Sequence, residues 1–118
     1  MPESLALLVA TEAGVATAVD LLAGAAALEM VGQAYFTGPA VRCLILDPDT
    51  GPDADRRAGL VERLREIRAD GEVHIYACSQ ALAAQGSSPE ALVDVVDSTA
   101  GFVFFLSLAT EATVALTL

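Results

Sequence analysis

The sequence predicts an α/β fold, a mostly parallel sheet with helices on both faces, formed by residues 1–118 as a single domain. Three observations predict it. Short strand-like runs alternate with helix-compatible stretches, the order expected when each strand is followed by a crossover helix. Leu5 to Ala10 is continuously apolar rather than alternating, the form of an inner strand covered on both faces. Hydrophobic residues make up 54% of the chain but aromatics only 5%, and Trp is absent, so the core is built from Ala, Val and Leu. Such small side chains let helices pack closely on a sheet.

Taken in order, Leu5–Ala10 is the first strand and Thr11-Glu12 turns the chain. Ala13 to Val31 is predicted as a long helix ending at Gly32, with Asp20 and Glu29 its only charges. One side of it can cover the sheet while another meets a second subunit. Gly14 and Gly24 form no phosphate loop, because no Gly-Lys-Ser/Thr follows. Gln33 to Thr37 is the second strand, closed by Gly38-Pro39. Arg42 to Leu46 reads either as a third strand or as part of a short helix beginning at Pro39.

Asp47 to Asp55 is a loop by composition. Its acids suggest a calcium loop, but the glycine falls at position five rather than six and position twelve is Ala58 rather than Glu. Asp55 to Ala69 is the clearest amphipathic helix: Leu60, Val61, Leu64 and Ile67 recur on one side and the arginines and glutamates take the other, a solvated face. Val73 to Ala77 is a short buried strand, Cys78 falls at its carboxyl end, and Ser79 to Gln85 is a helix stopped by Gly86. Pro89 to Val96 is predicted as a short helix with Ser88 as N-cap, and Asp97 to Gly101 as a break. β-propensity makes Phe102 to Leu108 and Thr113 to Leu118 strands, although Ala109-Thr-Glu-Ala is a weak hairpin turn between them.

Six Arg and no Lys face 16 Asp plus Glu, for a formal net charge of −10. Five of the arginines lie between Pro52 and Gly71, where five acids balance them, leaving eleven acids against Arg42 alone. Such a surface repels phosphate backbones and excludes nucleic acid as a partner. Asp20 and Glu29 interrupt the longest apolar region, so no membrane span is expected, and no basic region precedes Leu5–Ala10 as it would in a signal peptide. The expected location is cytoplasmic, with Cys43 and Cys78 reduced. The two cysteines have no metal-ligand spacing and form no CxxC pair, and no cofactor motif is present. The apolar excess points to a homo-oligomer.

The strand-Cys78-helix unit is the chemical centre of the chain. Ligands in open α/β sheets bind beyond the carboxyl ends of strands, and a thiol at a helix amino terminus has a lowered pKa and a more nucleophilic thiolate. A small buried hydrophobe is the alternative account of Cys78.

Four pieces, in order, resemble the DsrE/DsrF-like proteins of sulfur relay and sulfur oxidation. They are the first strand and Ala-rich helix ending in Ala26-Ala-Leu-Glu-Met-Val-Gly32 with Gln33-Ala-Tyr-Phe-Thr-Gly38 after it; Val73-His-Ile-Tyr-Ala-Cys78 with Gly86 eight residues on; Pro89-Glu-Ala-Leu-Val-Asp-Val-Val; and Ala100-Gly101 through Glu111-Ala112, then Val114-Ala-Leu-Thr-Leu118. The resemblance spans nearly the whole chain and implies a flavodoxin-like, DsrEFH-like three-layer sandwich. It implies a helix over Thr99–Glu111, against β-propensity, a short helix over Pro39–Leu44, and Val114–Leu118 as the terminal strand. It has no counterpart for the loop Asp47–Asp55.

The resemblance also implies that Cys78 accepts sulfane sulfur as a persulfide and passes it on, with sulfur donor and acceptor proteins as partners and a trimer or hexamer as the assembly. Candidate substrate-binding groups come from neighbouring strand ends: Thr11 and Glu12, Thr37 and Gly38, Arg42, and Ser79 beside the cysteine. Arg42 either stabilises a sulfur anion or pairs with an acid such as Asp47. Cys43 is a packing residue, with a resolving role as the alternative. His74 shares strand parity with Cys78, but four residues at roughly 3.3 Å each set it about 13 Å away, beyond hydrogen-bond reach. A noncatalytic oligomeric binding module, holding a small ligand or protein in the strand-end crevice, is the reading from a different class, favoured if Cys78 is fully buried or its pKa unshifted. Peroxidase activity is weaker, since no threonine or arginine is clearly placed with the cysteine.

Overall fold

The computed structural model describes residues 3–46 and 51–118. Five strands form one sheet: β1 (Ser4–Val9), β2 (Val31–Phe36), β3 (Val73–Cys78), β4 (Ser98–Ala100) and β5 (Val114–Thr117). Their order is β4-β3-β2-β1-β5 and every pairing is parallel. The connections hold α1 (Glu12–Ala27), a 3-10 segment (Gly38–Leu44), α2 (Pro52–Asp70), α3 (Ser79–Ala84), a 3-10 turn (Pro89–Ala91) and α4 (Phe102–Glu111).

From β1 the chain steps in one direction to β4, then α4 carries it back to β5 on the far side of β1. Right-handed crossovers make that reversal place α4 on the opposite face from α1 and α2. Side-chain parity agrees. Gly32 faces α1, where a Cβ would lie 3.0 Å from Leu22 Cδ2. Tyr35, of opposite parity, meets the rings of Phe102 and Phe105 at 5.9 and 5.8 Å, and Tyr76 meets Phe104 edge-on at 4.7 Å. Helices therefore cover both faces, as the predicted three-layer α/β class requires.

The thicker layer of core lies under α1 and α2. Leu7, Val9, Ala34, Phe36, Ile75 and Ala77 of the central strands are buried there together with Val15, Val19 and Leu22 of α1 and Val61, Leu64 and Ile67 of α2. The polar side of α2 is partly engaged: Arg63 pairs with Asp20 at 2.8 Å, Arg65 with Asp94 at 2.6 Å and Arg68 with Asp97 at 2.7 Å. Exposed pairs of this kind contribute little individually. Asp97 does more, since its second carboxylate oxygen accepts the Ile75 N–H at 2.7 Å and its own N–H donates to Ile75 O at 2.8 Å, which fastens the chain beside β3 just before β4.

Several boundaries differ from the sequence expectation. The first helix stops at Ala27, not Val31, and Gly32 lies inside β2 rather than ending the helix. The stop is Glu29, which adopts φ 59°, while the Met30 N–H donates to Ala25 O at 2.8 Å and the Glu29 N–H to Ala26 O at 3.1 Å. These are the two bonds of a Schellman cap, with a non-glycine residue in the left-handed position. Arg42–Leu46 is not a third strand; the 3-10 segment runs to Leu44, and Ile45 makes a single antiparallel bridge to Leu92. That bridge also limits the expected helix Pro89–Val96 to one turn, because the Leu46 N–H takes Ala91 O and the Val93 N–H takes Leu44 O. Ser88 makes no side-chain cap. α2 begins at Pro52, ahead of the expected Asp55, and residues 47–50 of the acidic loop lie outside the described residues.

The expected break Asp97–Gly101 contains β4, whose three residues pair with Tyr76, Ala77 and Cys78. Phe102–Leu108 is helix and not strand, with Gly101 as N-cap, so the resemblance prevails over β-propensity there, although Thr99 and Ala100 belong to β4. β5 runs parallel to β1 and forms no terminal hairpin.

Relieving the left-handed residue is expected to be favourable. Glu29→Gly should raise the unfolding free energy by about 0.5–1 kcal/mol, as read from urea denaturation; a lower value would contradict the cap assigned to α1.

Candidate functional site

Cys78 is the last residue of β3 and the N-cap of α3, so the strand ends and the helix begins on the same sulfur. The Ala81 N–H donates to Sγ with a separation of 3.5 Å. On one side lies β2: its register with β3 ends at Phe36 opposite Ala77, which brings the following residue, Thr37, level with Cys78. On the other lies β4, where Ala100 pairs with Cys78 directly. The sulfur thus sits between two strand ends, 1% exposed.

Two hydroxyls complete its surroundings. Thr37, 8% exposed, caps nothing with its side chain although it stands at the N-cap position of the 3-10 segment. Level with Cys78 by register, its hydroxyl is one of the groups that favour the anionic form of the sulfur. Tyr35 is fully buried; its hydroxyl donates to O of Ala100, the residue that pairs with Cys78, at 2.9 Å, and it favours the anionic form of the sulfur.

Burial alone would push the Cys78 thiol up. The hydroxyls of Tyr35 and Thr37 and the amides of Ala81 and Gln80 outweigh it, so the thiol lies below its ordinary value of 9.0. Tyr35 moves the opposite way, raised by its own burial and then by its bond to Cys78 and the sulfur's charge, so it remains a proton donor. The arrangement is one that holds a sulfur anion with neutral donors.

The other candidate residues are divided. Glu12, Gly38 and Arg42 line one cavity of about 350 Å³ together with Pro39, Ala81, Ala84 and Gln85, and Cys78 is not among the lining residues. Gly38 has φ 54°, and a Cβ there would stand 3.3 Å from Ala10 O, so glycine suits the turn that brings the chain from β2 over the cavity. Gly38 O accepts from Gln85 Nε2 at 3.1 Å, tying α3 to the 3-10 segment. Thr11 is used elsewhere: its hydroxyl accepts the Gly14 N–H at 3.0 Å and caps α1. Ser79 is the exposed first residue of α3.

His74 stacks on Tyr76 at 6.4 Å and approaches Glu72 at 3.8 Å, away from the sulfur, as its spacing predicts. Cys43 is buried, its thiol pushed up by burial and by Glu12 against the pull of nearby arginines. It lines a separate cavity of about 290 Å³ beside Arg57 and Val61, so its surroundings are those of a packed thiol. Tyr35 is the neighbour of Cys78 that sequence reasoning passed over. The signal for it was parity, since Tyr35 and Thr37 alternate on the strand whose end meets Cys78.

The DsrE/DsrF-like family model matches residues 4–112, nearly the whole chain. The chain belongs to the DsrE/DsrF-like family. Among solved structures, this family member is similar to the protein of unknown function MTH1491 from Methanobacterium thermoautotrophicum, at 18% identity with a TM-score of 0.72. The match covers 98% of this chain and 99% of that one, and it supports the fold. No curated protein matches this DsrE/DsrF-like chain. No described helix is long and apolar enough to cross a membrane, and among the described residues no three or more metal-ligating side chains converge.

The lowered Cys78 thiol links stability to pH. Between its folded value and 9.0 the folded protein has released a proton that the unfolded chain still holds, so this contribution grows as pH rises and is lost as pH falls through the folded value. The difference in urea midpoint between wild type and Cys78→Ser should therefore widen in favour of wild type as pH is raised through that window; a pH-independent difference would contradict the site's electrostatics.

Proposed function

We propose that this protein carries sulfane sulfur as a persulfide on Cys78 and relays it between a sulfur donor protein and an acceptor. The observation that carries this reading is the buried sulfur at the β3–α3 junction, with the Ala81 amide bonded to it and its thiol lowered despite burial by the nearby Tyr35 and Thr37 hydroxyls. A thiolate is the form that attacks a sulfane sulfur, so donors that hold Sγ as an anion favour the reactive form. Membership of a sulfur-relay-related family supports the same chemistry.

The cavity lined by Glu12, Gly38 and Arg42 is the proposed approach for the partner or donor, with Arg42 offering a positive charge to a sulfur anion. Thr11 does not serve there, since it caps α1. Because Cys78 is 1% exposed, transfer requires the strand-end crevice to open.

A homo-oligomer, a trimer or hexamer on the family resemblance, is part of the proposal. α4 carries no charge before Glu111 and leaves Val103 80% and Leu106 62% exposed, the surface of a helix that needs a further layer.

The burial of Cys78 also favours a second reading, a binding module of the same fold that holds a small ligand or protein in the 350 Å³ cavity without sulfur transfer. Intact-protein mass spectrometry after incubation with polysulfide or an organic persulfide separates the two. The carrier reading expects adducts of about 32 Da or its multiples on wild type and on Cys43→Ser, absent from Cys78→Ser. Reduced, folded wild-type protein that acquires no adduct would leave the binding module in front.

A further inference from the structure

We propose that Tyr35 is the proton donor to the Cys78 sulfur anion, its single hydroxyl proton moving between the Ala100 carbonyl when the sulfur is a thiol and the sulfur itself when it is an anion. This assignment rests on the carrier reading for the reaction it serves. A tyrosine hydroxyl has one proton to donate; here it goes to Ala100 O at 2.9 Å, and Ala100 pairs across the strands with Cys78, whose side chain lies on the same face of the sheet as Tyr35. The residue is fully buried, so water offers it no third partner, and its ring is held against Phe102 and Phe105 of α4. With a thiol, the S–H proton can point to the phenolic oxygen while the phenol donates to Ala100. With a thiolate no S–H remains, and the phenol turns its proton to the sulfur, leaving the Ala100 carbonyl.

The groups that act on the sulfur are the Tyr35 and Thr37 hydroxyls and the Ala81 and Gln80 amides, and Tyr35 is the one titratable group among them. The charged side chains of the crevice, Glu12 of α1 and Arg42 of the 3-10 segment, line the neighbouring cavity. Thr37 supplies the second hydroxyl, and its oxygen accepts no capping N–H from the 3-10 segment.

The transfer steps show where this proton acts. In charging, the Cys78 thiolate attacks the outer sulfur of a donor persulfide R–S–SH. The new S–S bond forms at Sγ, the donor's S–S bond breaks, and its electron pair leaves on R–S⁻, while the transferred sulfur keeps its proton as Cys78–S–SH. In discharge an acceptor thiolate attacks that outer sulfur, and the electron pair of the Sγ–S bond returns to Sγ. No oxidant is consumed. At the beginning of the first step and the end of the second, Sγ bears the negative charge that the Tyr35 hydroxyl meets.

The test compares wild type with Tyr35→Phe, which keeps the ring packing and removes only the hydroxyl. Alkylation of Cys78 by iodoacetamide, read at the Cys78 peptide by mass spectrometry across pH, should show its midpoint raised by about one pH unit in Tyr35→Phe. The Gly101 amide nitrogen, bonded to the Ala100 carbonyl, should shift in NMR spectra with the same midpoint in wild type and stay flat in Tyr35→Phe. A structural role for the hydroxyl would not produce that coupled titration. An unchanged alkylation midpoint in folded Tyr35→Phe would overturn the assignment. If that variant does not fold, a Gly101 amide that ignores the Cys78 titration in wild type overturns it as well. Neither readout needs a sulfur donor, so a raised midpoint without any adduct of sulfur would sink the carrier reading and leave Tyr35 as the donor. An adduct with an unchanged midpoint would do the reverse.

Discussion

The register of β2 against β3 is the constraint on which the rest of this structure depends. It sets Tyr35 level with Tyr76 and Phe36 with Ala77, and so delivers Thr37 to the side of Cys78. Slipping one residue would turn Tyr35 and Thr37 to the other face, into the layer filled by α1 and α2. The buried side of the strand forbids that slip: Ala34 and Phe36 must lie with Ile75 and Ala77 under those helices. Core packing on one face thereby positions the polar groups on the other.

Tyr35 then joins the second layer to the sulfur. Its ring packs against two phenylalanines of α4, and its hydroxyl donates to Ala100, the last residue of β4, which pairs with Cys78 at the end of β3. β4 is short, and among the described residues α4 is the only helix on that face by the crossover argument, so a single aromatic side chain ties strand, helix and site together. The two faces differ in kind: one is sealed by two helices with arginines bridging to acids on neighbouring segments, the other by a ten-residue helix whose outer residues remain apolar.

The chain's charge of −10 would oppose an anion at the site if the site depended on long-range fields. It does not. Local neutral donors act on Cys78, and hydrogen bonds inside the fold are barely screened by salt or offset by distant surface acids. Burial, which by itself disfavours a thiolate, also strengthens each of those bonds, and the balance falls on the side of the anion.

Much of this was legible in residues. The continuous apolar run at Leu5–Ala10 and the β-branched and aromatic residues of Val73–Ala77 marked strands, the Val61-Leu64-Ile67 spacing marked α2, and the strand-helix junction marked Cys78 as the candidate site. Local spacing suffices for those, because each pattern is complete within one element. Other features were decided by contacts between distant segments. β4 has three residues and no periodicity of its own, and it is a strand because β3 offers it an edge and Asp97 fastens its approach. Phe102–Leu108 is rich in β-formers yet helical, because Gly101 opens a helix and Phe104 and Phe105 find the two tyrosines from a helical spacing. Glu29 ends α1 in a conformation its side chain disfavours, since the chain must turn there to enter β2 at Val31. Amino-acid sequence by itself determined β1, β2, β3 and β5, the helix with a clear stripe and the candidate cysteine; only tertiary structure decided β4 and that Tyr35 and Thr37 surround Cys78, because neighbours at adjacent strand ends are set by register, which no single stretch of chain encodes.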